Sequence, residues 1–61
     1  MNIKLKIKRM EKGLSQKELA SIVGVTSQSI SEYERGNTNP SYENMKKISK
    51  ALDAPVQELF F

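Results

Sequence analysis

The chain has 61 residues, with ten Lys and Arg against seven Asp and Glu for a formal net charge of +3, and it contains neither cysteine nor histidine. That length allows one small core, near the lower limit at which packing and helix caps alone offset chain entropy, and the composition excludes disulfides and Cys/His zinc clusters. The basic balance favours acidic partners such as nucleic acid, while the lack of a signal-like start or a membrane-length apolar run predicts a cytoplasmic protein with no membrane role.

In the first segment, Ile3, Leu5 and Ile7 alternate with lysines, as in a half-buried strand. A strand needs a partner, and every later segment reads as helix. Ile3, Ile7, Met10 and Leu14 also fall at i, i+4, i+7 and i+11, which predicts a helix over 2–12 with that stripe inward, Leu5 off it, and Gly13 as a left-handed cap. Ser15 and Glu18 form a Ser-x-x-Glu capping box at the start of a second helix. Leu19, Ala20 and Val23 give that helix an inward face, and Gly24 ends it.

Thr26 is a natural N-cap for a third helix running to Arg35, whose inward anchors are Ile30 and Tyr33 and whose cap is Gly36. The turn formers Gly36 to Pro40 make a loop. Ser41 caps a fourth helix with Tyr42, Met45, Ile48, Ser49 and Leu52 on one face, and a short fifth begins around Pro55 and includes Val56, Leu59 and Phe60. The expected fold is all-α: one compact five-helix domain over 1–61, without strands or repeats.

The third helix has few bulky side chains and follows the second after a tight glycine turn, which fits a helix-turn-helix over about 15–35. In that device the second helix enters the major groove, with its first residues at base edges. Thr26, Ser27, Gln28, Ser29 and Ser31 are short or amide side chains that let the backbone approach DNA closely, and Gln28 can grip adenine N6 and N7. Ser31 and Glu32 complete the expected base-reading set, Glu32 as an acceptor from cytosine N4. Arg35 and the loop residues Asn37, Thr38 and Asn39 suit phosphates, and Lys17 and Ser29 are assigned to the same backbone contacts. Without His, Cys, clustered carboxylates or a phosphate-cradling loop there is no catalytic residue to assign, and no metal or cofactor is expected.

The ordered set Leu14-Ser15-Gln16, Glu18-Leu19-Ala20, Gly24-Val25-Thr26, Ile30, Glu34-Arg35-Gly36, Asn39-Pro40, Ala51-Leu52 and Glu58-Leu59-Phe60 resembles the lambda-repressor-like helix-turn-helix family, also called the Cro and repressor or XRE family, over roughly residues 5–60. The resemblance implies that Gln16 binds a phosphate and supports the recognition helix, that Ser27, Gln28 and Glu32 reach bases, and that Thr26 adds a phosphate contact to its cap. It also implies an ion pair between Arg9 and Glu34, which would keep a free carboxylate away from phosphates. The basic residues of the first helix are expected to steer from a distance, since that helix lies mostly behind the reading surface in this fold. Asp53 and Pro55 depart from the family pattern, which has glycine and a capping Ser or Thr there.

These residues imply a sequence-specific regulator of double-stranded DNA, a bacterial or phage repressor, with a protein-binding module such as an antitoxin or co-regulator as the alternative. Val56, Phe60 and Phe61 form either a two-fold dimer contact, giving a homodimer on a palindromic operator, or an unpartnered chain end. With no second domain in these residues, no small-molecule ligand is expected.

Overall fold

The structure is a computed structural model that describes residues 2–61. Met1, the first residue of the expected 1–61 domain, lies outside the described residues. Five helices follow one another: α1 (Ile3–Glu11), α2 (Gln16–Val23), α3 (Ser27–Arg35), α4 (Tyr42–Leu52) and α5 (Val56–Phe60). No strand occurs among the described residues.

Local capping chemistry sets the helix ends. Ser15 Oγ accepts from the Glu18 N–H at 3.0 Å while Glu18 Oε1 accepts from the Ser15 N–H at 2.8 Å, closing the capping box. The bond from the Ser15 backbone, followed by that from its side chain, holds the Glu18 carboxyl below its ordinary 4.5. Thr26 and Ser41 accept from Ser29 N–H and Asn44 N–H in the same way. Asn2 starts α1 and also ties it down: Oδ1 accepts from the Leu5 N–H, Nδ2 donates to the Leu59 carbonyl at 2.8 Å, and the backbone N–H donates to the Glu34 carbonyl at 2.8 Å.

Leu5, Leu19, Ile30, Ile48, Leu52 and Leu59 are fully buried and, with Ala20, Val23 and Ala54, form the core where the five helices meet. α2 packs against α3 and α4, α5 closes against α4 and α1, and α1 lies across α3. Each buried leucine or isoleucine removes enough apolar area to contribute about 1.5–3 kcal/mol.

The rotation of α1 differs from the expected one. Ile3, Ile7 and Met10 are 48%, 49% and 61% exposed, and the buried pair on this helix is Leu5 and Arg9, four residues apart. Arg9 reaches inward to a carboxylate on α3, and the turn below it carries Leu5 into the core with it. Leu14, past the helix end, is half-buried against the core. α1 also ends one residue earlier than expected, with Lys12 as the cap and Gly13, at φ 72°, just beyond it.

Tyr42 departs too. It is 65% exposed at the first position of α4, with the Lys46 ammonium 5.2 Å from its ring centroid, while Met45 and Ser49 are half-buried and Ile48 and Leu52 carry the inward face. Pro55 is the N-cap of α5 rather than its first residue, and it supplies no side-chain cap.

Asp53 closes α4 in the left-handed region, at φ 53° and ψ 46°. An aspartate tolerates this conformation poorly compared with glycine, and its contact with Lys12, at 3.9 Å on a 91% exposed side chain, is too solvated to offset the strain. Asp53→Gly is therefore expected to stabilise the fold by about 0.5–1 kcal/mol, raising Tm by roughly 2–8 °C in a domain of this size. Thermal melting followed by circular dichroism checks this, and an unchanged or lower Tm would contradict it.

Candidate nucleic-acid interface

α2 and α3 are joined through Gly24, whose φ of 90° turns the chain sharply. The Ala20 carbonyl accepts from both the Gly24 N–H at 2.8 Å and the Val25 N–H at 3.0 Å, and Val25 packs on the core. A Cβ at Gly24 would meet nothing within 4 Å, so the backbone conformation alone accounts for glycine there.

Ile30 and Glu34 are the buried residues of α3, with Tyr33 half-buried against the core. At about 100° per residue, Gln28, Glu32 and Arg35 fall on the opposite side. Thr26, Ser27 and Gln28 are exposed at the helix start, and Ser29, Ser31 and Glu32 are half-exposed. Thr26 Oγ1 and Ser29 Oγ lie 3.0 Å apart, so these two hydroxyls are partly engaged with each other. The helix is held from its other side, by Ile30, Glu34 and Tyr33.

That carboxylate is neutralised. Arg9 Nε donates to Glu34 Oε2 at 2.6 Å and Arg9 Nη2 to Glu34 Oε1 at 3.3 Å, in a two-pronged contact between side chains only 10% and 4% exposed. Arg9 Nη1 also donates to the Leu14 carbonyl at 2.7 Å, tying the α1–α2 connection into the same cluster. Gln16 Nε2 adds a bond to Glu34 Oε1 at 3.1 Å. Gln16 thus bridges the start of α2 to the end of α3 and keeps an amide oxygen and a second N–H for another partner.

Glu32 is less free than a base acceptor would be. Its carboxylate accepts from Asn37 Nδ2 at 2.9 Å and lies 3.6 Å from Arg35 Nη1, so Glu32, Arg35 and Asn37 form one surface group. Lys17 is exposed in the first turn of α2, and Thr38 and Asn39 are exposed in the loop after α3. Lys8 is turned elsewhere: the hydrogen bond it donates to Glu11, then the charges of Glu11 and Glu58, raise its pKa above the ordinary 10.5.

On α5 and just after it, Phe61 is 77% exposed, and Val56 and Phe60 are half-buried. Phe61 and Val56 line an open depression of about 560 Å³ with Tyr42, Pro55 and Gln57, while Phe60 and Phe61 also border Gly36 and Asn39 of the loop after α3. The spacing of Tyr42 puts it on the core face of α4 and gives no sign of its place on this apolar surface. Lys6 was missed: it borders Gln16, Ser31 and Arg35 on the edge of the α3 surface. Its position three residues before Arg9, on the same side of α1, is the signal that could have pointed there.

Among the described residues no group of three or more His, Cys, Asp or Glu is placed to hold a metal, and no helix is long and apolar enough to cross a membrane.

Against known proteins, residues 5–59 match the HTH_3 family, described as helix-turn-helix. The crystal structure of the restriction-modification controller protein C.AhdI from Aeromonas hydrophila superposes with a TM-score of 0.87 at 39% identity, covering 97% of this chain and 89% of that one. The N-terminal DNA binding domain of SinR from Bacillus subtilis gives 0.86 at 38% identity, covering 98% and 88%. In sequence, the cryptic phage CTXphi transcriptional repressor RstR of Vibrio cholerae is 34% identical over 56 residues, 92% of this chain and 50% of that protein. The chain spans half or less of the length of the first curated relatives it matches.

Proposed function

We propose that this chain, which belongs to the HTH_3 helix-turn-helix family, works as a sequence-specific regulator of double-stranded DNA, a bacterial or phage repressor acting in the cytoplasm that lays α3 in the major groove. The observation that carries this reading is the exposed start of α3, where Thr26, Ser27 and Gln28 stand clear of the core on a helix whose one buried carboxylate is already neutralised. Gln28 reads adenine through its amide, with Ser27 beside it. Lys17, Thr26, Ser29, Arg35, Asn37, Thr38 and Asn39 set the register on the backbone. Gln16 holds α3 through Glu34 while its free N–H serves a phosphate. Glu32 reads a base only on leaving Asn37 and Arg35, which makes it the weakest reader of the set.

The apolar surface of Val56, Phe60, Phe61 and Tyr42 supports a two-fold contact that puts two copies of α3 about one DNA turn apart on a palindromic operator.

Fluorescence anisotropy with a labelled random-sequence duplex tests the electrostatic part. Binding with Kd around 10⁻⁴–10⁻⁶ M near physiological salt is expected, tightening steeply as salt falls. No binding at low salt would contradict the reading. Sedimentation in the presence of a palindromic duplex should show two copies per duplex, and a single copy at saturating protein would remove the dimer.

A further inference from the structure

We infer that the junction of α1, α2 and α3 is a seat for one DNA phosphate, built by Lys6, Gln16, Ser31 and Arg35. The inference rests on the DNA-binding reading above and brings α1 into the interface.

These four residues and Glu34 line an open depression of about 160 Å³ at the edge of α3. Each of the four can donate a hydrogen bond, and two carry positive charge. The acidic groups nearby are accounted for: Glu34 accepts from Arg9 and Gln16, and Glu32, on the outer side of Arg35, accepts from Asn37 and lies 3.6 Å from Arg35 Nη1. Among the described residues Lys6 has no carboxylate within 4.0 Å, unlike Lys8 and Lys12 on the same helix. With Arg9 cancelling Glu34 and Arg35 shared with Glu32, the Lys6 ammonium leaves this hollow with a net positive charge.

Ser31 is half-exposed and lines the hollow together with Gln16 and Lys6. Its hydroxyl has no intramolecular partner among the described residues, and it lies one turn before Arg35 on the same helix. A phosphate at this edge accepts from the ammonium, the guanidinium, the hydroxyl and the second amide N–H of Gln16. Base edges would be met by Gln28, farther round the helix. Ser31 is therefore a phosphate ligand here, whereas its spacing alone suggested base reading.

The test uses the whole chain and a duplex enriched from random DNA by the wild-type protein. Lys6→Gln removes the charge at similar length. Lys50→Gln is the control, because Lys50 is exposed in the last turn of α4, at the end of that helix away from the loop after α3. Lys6→Gln should weaken binding roughly five- to tenfold at physiological salt and flatten the log–log salt dependence by about 0.9, the share of one phosphate. Lys50→Gln should leave that slope unchanged, and Ser31→Ala should weaken matched and mismatched duplexes by the same factor.

An unchanged slope for Lys6→Gln, an equal loss of slope for Lys50→Gln, or a changed base preference for Ser31→Ala would each overturn the seat while leaving the DNA reader standing. A wild-type chain that enriches no duplex removes both.

Discussion

Arg9→Met should destabilise the fold by about 3–5 kcal/mol, because it leaves the Glu34 carboxylate buried without its ionic partner. Glu34 is 5% exposed and receives two bonds from Arg9 against one from Gln16, so most of its compensation disappears with the guanidinium. A domain of this length holds roughly 3–9 kcal/mol of stability in total, so the variant should be substantially unfolded at room temperature. The double variant Arg9→Met/Glu34→Leu should recover most of the loss, since two apolar side chains can fill the site without a desolvated charge. Urea titration followed by circular dichroism reads both. A loss below about 1 kcal/mol for Arg9→Met would mean that Glu34 finds water or another donor, and that the pair does not hold α3.

Gln28→Ala should leave folding intact, because the side chain is exposed and makes no contact with the core. Its effect should fall on discrimination. Loss of a two-pronged amide contact to adenine is expected to cost about 1–3 kcal/mol on the preferred duplex, or roughly 5- to 150-fold in Kd. Binding to random DNA should stay within about twofold. Gln16→Ala should behave oppositely, weakening all duplexes by a similar factor because Gln16 supports α3 and the backbone rather than a base. Parallel anisotropy titrations on matched, singly changed and random duplexes separate the two. If both variants lose affinity equally on every sequence, the assigned roles are wrong.

Much of the fold was legible because its signals are local. The capping box of Ser15 and Glu18, the caps Thr26 and Ser41, and the turn at Gly24 depend on residues a few positions apart, and each stands where its chemistry points. The rotation of α1 was not legible in that way. Its apolar periodicity favoured Ile3, Ile7 and Met10, but the inward side is set by a partner 25 residues away, and periodicity treats arginine as a solvent residue. Only the family resemblance pointed to that pair.

Tyr42 has the same explanation in reverse. Its spacing matches the face of Ile48 and Leu52, but at the first position of α4 it projects beyond the core and joins the apolar surface of Val56 and Phe61. For the candidate interface, composition identified the polar start of α3, while the engagement of Gln16 with Glu34 and of Glu32 with Asn37 and Arg35 needed coordinates. Those contacts separate side chains that can meet DNA from those already held by the protein.

The most direct test of the account is enrichment of random duplex DNA by the wild-type chain at near-physiological salt, with sequencing of what is retained. The account predicts two inverted half-sites about one helical turn apart, with an adenine position in each half that loses its preference when Gln28→Ala repeats the selection. A folded, helical protein that retains no sequence above the starting pool would contradict it.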